Sequence, residues 1–503
     1  MIKKILKIIT NIIFIISLLV LFVSIYINHF FEGVSFELIL YSIVNFKGTS
    51  IFVILRGLIF ISLIFISLFI FIKLIKLLFK KIKIYDKALK IITKIKYILK
   101  ILIIVISLII SYKLLKIDDF YNMLRNSTSI YEDYYVDPRK VEIKFPKDKQ
   151  NLIYIYLESM EMTGASKKNG GFVSRSYIPN LESLALNNIN FSNTSNLGGA
   201  ISIYGTNYTS SSLVAQTSGV QLKVSIGWAK YKHFGKSLPG VKNLGDILEE
   251  NGYKNYFIMG SDADYGGRKD YFRHGNYKML DYYWAIDEKK IDKDYYVWWG
   301  YEDKKLFEYA KEQLKTISKN DEPFNFTMLT VDTHFTDGYM DDSCSVHFNK
   351  KYANAIYCSD SKVGEFIDWV KKQDFYKNTT IIITGDHLTK QRFFYRDSNT
   401  YKRTIYNSII NSRIEPINEK NRLFTPFDMF PTTLASIGVT IENDRLGLGT
   451  NLFSNKKTLA EVMGIEKLEN ELKKKSFYYD NVLLKDHYYK MQEVSDTNEK
   501  KSN

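Results

Sequence analysis

The sequence predicts N-terminal transmembrane helices followed by an α/β domain with a largely parallel central sheet flanked by helices. Three observations carry this reading. Three long apolar runs lie within residues 1–116. From residue 151, short β-branched and aromatic runs alternate with amphipathic stretches, the pattern of βαβ units. The charge is also divided. Of a formal net +15, residues 1–116 hold 17 Lys+Arg against 3 Asp+Glu, and the remainder is nearly balanced. The basic excess therefore reports membrane topology and does not form a basic face on the folded domain, so no nucleic-acid partner is expected.

Residues 8–28 are mostly Ile, Leu, Phe and Val, preceded by Lys3, Lys4 and Lys7. A cleaved signal peptide begins similarly. This run is longer than a typical signal core and lacks a small-residue cleavage site, so a retained helix is expected. Residues 51–72 form a second span, interrupted only by Arg56 and Gly57. Residues 97–115 form a third, with Lys100 and Lys113 able to snorkel to the interfaces. Residues 73–100 hold ten lysines and one acid, Asp86. The positive-inside rule places that loop and the N-terminus in the cytoplasm. A multi-pass protein of the inner (cytoplasmic) membrane follows, with residue 117 onward on the periplasmic or extracellular side. Part of 34–46 reads as an interfacial or re-entrant piece; a fourth span there would invert the topology.

The expected organisation is a membrane anchor over 1–116, a polar, Tyr-rich connector over 117–150, a catalytic domain over 151–465, and a charged tail over 466–503, helical at first and with a disordered end. Within the domain, NLIYIYL, YKNYFIMG, FNFTMLTV and TTIIIT read as strands. GVKNLGDILEENG, DKKLFEYAKEQLKTI, SDSKVGEFIDWVKKQ and FDMFPTTLASIG read as helices. The two cysteines, Cys344 and Cys358, are a disulfide candidate in an oxidising compartment, the alternative being two unpaired thiols. Trp298, Trp299 and the many tyrosines could touch the membrane interface, or serve as ordinary core and surface residues.

The chemistry concentrates at strand ends. The apolar run from Asn151 stops at Glu158, and the run from Thr379 stops at Asp386 and His387. In open α/β sheets, ligands sit beyond the carboxyl ends of strands, so these residues can converge on one metal ion. Hard oxygen ligands with one imidazole favour Mn²⁺ or Zn²⁺ over Mg²⁺. Taken singly, a strand-end Glu is more often a solvated carboxylate, and Gly-Asp is often a turn. GTNYTSSSLVAQTSG supplies a hydroxyl-rich approach to a helix, with Thr209 near its N-terminus, where backbone N–H groups favour phosphate. The plainer role for Thr209 is an N-cap.

The order YLES…GTNYT…DTH…GDH resembles the membrane-bound phosphoglycerol transferases of the alkaline phosphatase/sulfatase superfamily. That group includes lipoteichoic acid synthase and the enzyme that modifies periplasmic osmoregulated glucans. GTNYTSSSLVAQTSGVQL is similar to the glucan-modifying motif GTxxTxxxxVASQxGxPL, departing at Gln216, Thr217 and Gln221. PNLESLA, WGYED, AIYCSD and DRLGLGTNLF extend the resemblance over roughly 150–455.

The resemblance implies a sulfatase/alkaline-phosphatase-like fold with one divalent cation, preferably Mn²⁺. Glu158, Thr209, Asp386 and His387 would be its ligands and Thr209 the catalytic nucleophile. It implies substrate contacts from His334 and Arg268, and from Asp262 in the preceding loop. The implied activity moves phosphoglycerol from phosphatidylglycerol to a cell-envelope glycan through a phospho-threonine. The rival readings are phosphoethanolamine transfer to lipid A or glycan, and a metal-dependent phosphodiesterase or phosphatase. The sulfatase signature of Cys or Ser followed by xPxR is absent from the sequence, which disfavours sulfate-ester hydrolysis.

Overall fold

The computed structural model describes residues 2–30, 36, 39, 51–81, 85–223, 237–391, 394–395 and 400–484. It divides into two compact units, Met1–Asn122 and Met123–Asn503.

The first unit contains three long helices, α1 (Ile2–Phe30), α2 (Ile51–Lys81) and α3 (Tyr85–Leu114). Among the described residues, Ile8–Phe30 and Tyr97–Leu114 are long and apolar enough to cross a membrane; the described apolar stretch of α2, Leu55–Ser67, is shorter. Among the described residues, Ile, Leu, Val and Phe side chains project outward along all three helices. The Lys100 ammonium donates to Asn11 Oδ1 at 2.5 Å, joining α3 to α1. The interfacial or re-entrant piece expected within 34–46 lies almost wholly outside the described residues.

The second unit is an α/β domain. The strands of its main sheet are β1 (Asn151–Leu157), β2 (Lys254–Met259), β3 (Lys278–Leu280), β4 (Phe324–Leu329), β5 (Thr379–Gly385) and β6 (Asn407–Ile410). They form one sheet in the order β3-β2-β4-β1-β5-β6. All neighbours run parallel except β6, which is antiparallel to β5. The period of two divides the core. Leu152, Tyr154 and Tyr156 enter one apolar cluster, and Ile153, Ile155 and Leu157 enter the other. Helices cover both faces, so the central strands read as continuous apolar runs. They include α4 (Thr209–Ser218), α5 (Leu244–Glu250), α6 (Asp303–Ile317), α7 (Lys351–Lys371) and α8 (Met429–Ser436).

The four strands and four helices expected from sequence all form, α7 beginning eight residues before the stretch read as helical. β3 and β6 are additional, and their three and four residues are too short for a periodic signal. The expected connector 117–150 is not free of the domain. Ile130 and Tyr131 are buried in its core, and Ile143–Lys144 pairs antiparallel with Thr440–Ile441. The chain also stays folded beyond residue 465. Helix α9 (Ile465–Lys473) buries Leu468 and Leu472, and Tyr479 is fully buried. The polar composition of both segments conceals the few apolar side chains that dock them. The end of the tail, 485–503, lies outside the described residues. Cys344 and Cys358 are joined by a disulfide that fastens the loop after β4 to α7.

Candidate active site

The sheet register assembles the site. Leu157 pairs with Gly385, so Glu158 and Asp386 leave adjacent parallel strands at one level. The junction is knitted by backbone donors. Asp386 N–H donates to the Leu157 carbonyl at 3.0 Å, and the N–H groups of Ser159 and His387 both donate to Asp386 Oδ1 at 2.7 Å. Ser159 holds a left-handed conformation at φ 54°, and its hydroxyl donates to Glu158 Oε1 at 2.7 Å. From β4, the Thr330 hydroxyl accepts from Glu158 N–H at 3.0 Å, and the Thr333 hydroxyl donates to the Glu158 carbonyl.

Helix α4 brings the fourth side chain. Its N-cap is Tyr208, and the Ser211 hydroxyl closes a capping box by accepting from Tyr208 N–H at 3.1 Å. Thr209 is therefore the first helical residue and its hydroxyl does not cap. That hydroxyl donates to Glu158 Oε2 at 3.1 Å and lies 3.4 Å from His387 Nε2. His387 Nδ1 donates to the Leu388 carbonyl at 2.9 Å, which leaves the Nε2 lone pair for the site. His387 Nε2 is 3.5 Å from both Glu158 Oε1 and Asp386 Oδ2.

These side chains fit a divalent cation. Glu158, Asp386 and His387 are buried, and one ligand atom from each lies within 4.8 Å of the others. Asp386 Oδ2 is buried with no hydrogen-bond partner. Burial, then the charge of Asp386, raises the Glu158 carboxyl, and burial pushes Asp386 up to about 6. Two converging carboxylates with an orphaned oxygen and an imidazole lone pair are costly without a positive charge among them.

Of the expected substrate residues, His334 and Arg268 lie near enough to sense the Glu158 charge. Burial lowers the His334 imidazole, and His334 senses the charges of Glu158, His387 and Arg268. Its Nδ1 donates to the Phe335 carbonyl at 2.7 Å. Arg268 is 5% exposed and donates through Nη2 to Ser261 Oγ and the Asp262 carbonyl at 3.0 and 2.7 Å; its Nε is buried without a partner. The half-buried Asp262 accepts from Asp264 N–H at 2.8 Å, so its carboxylate serves its own loop.

Sequence reasoning passed over several contributors. Glu161, three residues past Glu158, accepts two bonds from Arg403 at 2.8 Å each and one from Thr389 N–H at 3.1 Å. That pair ties the loop after β1 to the segment after His387. The Trp299 ring lies 4.7 Å from the His334 ring, at the site. Ser159 is adjacent to Glu158 in YLES and Trp299 opens WGYED, so both had a local signal, although Trp299 by itself reads only as an interface, core or surface aromatic.

The family model described as Sulfatase matches residues 150–439. Proteins named phosphoglycerol transferase I from Salmonella paratyphi B and Salmonella typhimurium are each 29% identical over 295 residues, 56% of this chain and 36% of theirs. The chain thus spans little more than a third of the length of the curated relatives it matches. Among solved structures, a protein in the alkaline phosphatase superfamily from Vibrio parahaemolyticus aligns with a TM-score of 0.49 at 22% identity, covering 65% of this chain and 76% of that one. The lipoteichoic acid synthase LtaP from Listeria monocytogenes aligns with a TM-score of 0.48 at 18% identity, covering 63% and 79%.

Proposed function

This chain belongs to the sulfatase family, and on that premise we propose that it is a membrane-anchored transferase carrying phosphoglycerol from phosphatidylglycerol to a cell-envelope glycan. The observation that carries the reading is the meeting of Thr209 with Glu158, Asp386 and His387 beyond the strand ends. The similarity to proteins named phosphoglycerol transferase I supports the transferred group.

Glu158, Asp386, His387 and the Thr209 hydroxyl would hold one divalent cation, with Mn²⁺ the best match to three oxygens and one imidazole. When bound, the cation supplies Lewis acidity that stabilises negative charge on the phosphoryl oxygens and on an ionised threonine. Thr209 is the nucleophile. Its oxygen bonds to phosphorus, the bond from phosphorus to the diacylglycerol oxygen breaks, and that oxygen takes up the proton that the threonine oxygen gives up. Arg268 neutralises phosphoryl charge, and His334, kept neutral by burial with its Nδ1 proton on the Phe335 carbonyl, orients the glycerol through Nε2. Asp262 borders this side. A glycan hydroxyl then bonds to phosphorus, the Thr209 ester breaks, and the proton returns to the threonine oxygen. No nucleotide is consumed.

The anchor suits a lipid donor, because it keeps the domain covalently attached to the membrane. We place the domain on the periplasmic or extracellular side, following the lysine distribution. A topology reporter fused near residue 120 tests this, with a cytoplasmic signal counting against it.

The activity test uses the full chain with headgroup-labelled phosphatidylglycerol, with and without glycan. Label on the glycan is the expected result. Free glycerol phosphate as the sole product would mark a phosphodiesterase, and transfer from phosphatidylethanolamine instead would mark the phosphoethanolamine reading.

A further inference from the structure

We propose that Trp299 and Tyr265 form an aromatic shelf beside the reaction centre that stacks an uncharged pyranose ring of the acceptor. The proposal deepens the transferase reading above and rests on it for the identity of the reaction.

Placement is the first argument. The Trp299 ring lies 4.7 Å from His334 and 5.4 Å from Tyr265, while the Arg268 guanidinium lies 5.6 Å from the Tyr265 ring. The pair therefore spans the two residues assigned to the transferred group. Tyr265 also adjoins the nucleophile's helix. Gly266 follows it at φ 68°, and a Cβ there would meet Ser210 Oγ at 2.4 Å, one residue from Thr209. The left-handed backbone and this close contact together favour glycine there.

Exposure is the second argument. Tyr265 is 42% exposed and Trp299 is half-buried, so neither ring is consumed by core packing. The loop that presents Trp299 is built at a cost. Trp298 is left-handed at φ 60°, and Gly300 at φ 148° has no room for a Cβ, which would fall 1.9 Å from the Gly260 carbonyl. Val297 and Gly300 exchange backbone bonds at 2.6 and 3.1 Å, and Tyr301 N–H donates to Gly260 at 2.9 Å. A bulky residue is thus held in a disfavoured conformation, a kind of strain that gathers at functional sites.

The chemistry selects the occupant. Aromatic faces carry partial negative charge and attract polarised C–H groups, of which the apolar face of a sugar ring offers several. A phosphate finds no complement on these rings and belongs with Arg268 and the carboxylate cluster. A linear glycerol unit has no flat face to stack. The shelf therefore suits the incoming ring. Its hydroxyl oxygen bonds to phosphorus as the Thr209 ester breaks, and its proton passes to the Thr209 oxygen.

The test measures binding separately from turnover. Full-length Thr209→Ala protein in lipid nanodiscs is titrated with a neutral glucan hexasaccharide by calorimetry, alongside glycerol phosphate as a headgroup probe. Trp299→Ala and Tyr265→Ala, each added to that background, are expected to weaken hexasaccharide affinity by about ten-fold, with Trp299→Phe recovering most of it. Equal loss of glycerol phosphate binding would reduce Trp299 to a prop for His334 and overturn the proposal, as would hexasaccharide binding unchanged by both alanine variants. Should saccharide binding follow the shelf while the Thr209-containing enzyme transfers no label from phosphatidylglycerol, the shelf stands and the donor assignment falls.

Discussion

Gln216 and Gly385 are joined across the sheet. The Gln216 amide donates to the Gly385 carbonyl at 3.2 Å, one residue before Asp386, and to Ser212 Oγ at 3.0 Å. The Gln216 oxygen accepts from the Tyr154 hydroxyl at 2.9 Å. One buried side chain thus ties the helix that starts at Thr209 to the strands that end at Glu158 and Asp386. Gln216→Leu strands the Tyr154 hydroxyl, with an expected cost of about 1–3 kcal/mol in denaturant unfolding. Activity should fall by more than the unfolded fraction accounts for, because the helix loses its register against Asp386. Equal losses of activity and folded protein would make Gln216 purely structural.

The Thr209 hydroxyl does no capping, so its loss should leave α4 intact. Thr209→Ala is expected to lower transfer by ~10³-fold or more while circular dichroism and melting stay near wild type. Turnover close to wild type would remove Thr209 as the nucleophile.

Glu158, Asp386 and His387 should bind metal before any substrate is present. Exhaustive chelation is expected to stop transfer, and Mn²⁺ to restore it. Metal analysis should return about one ion per chain, falling on Asp386→Ala. Full activity in metal-free protein would refute the cation's role.

Lys362 bonds to Asp332 Oδ2 at 2.9 Å and to Asp341, with Asp332 only 1% exposed. Asp303 accepts from the backbone N–H groups of Val331 and Asp332 at 2.8 and 3.1 Å. This cluster anchors the segment that leads to His334. Lys362→Met leaves buried carboxylates unpaired and should cost roughly 3–5 kcal/mol by denaturant unfolding. Asp332→Asn added to it should recover part of that loss.

Asp428 predicts a pH dependence of stability. Burial pushes its carboxyl from 3.8 up to about 7, so the folded protein holds this proton more tightly than the unfolded chain. The contribution is complete below 3.8 and is lost as the pH rises through about 7. Melting temperatures of the detergent-solubilised chain should show this downward component between pH 3.8 and about 7. Asp428→Asn should remove it, whatever it does to the mean stability, and an identical slope in that variant would discount the assignment.

Much of the fold was legible because central parallel strands are buried on both faces and announce themselves as apolar runs. β3, β6 and the Ile143–Lys144 pairing were not, because so few residues carry no period. At the site, Glu158, Asp386 and His387 stood out as polar residues just past apolar runs. Thr209 was ambiguous, since a helix-initiating threonine usually caps. Its release depended on Tyr208 and Ser211 doing that work instead.

The sequence by itself determined where the strands stop and which side chains follow them, because strand burial and polarity are properties of consecutive residues. It also determined the division between an apolar, lysine-rich N-terminal region and a charge-balanced domain. The tertiary structure alone decided that Leu157 lies opposite Gly385, that the Thr209 hydroxyl meets Glu158, and that Trp299 rests on His334. Each of these joins residues distant along the chain, and such contacts arise only when hydrogen bonding between strands and packing across the sheet set their register.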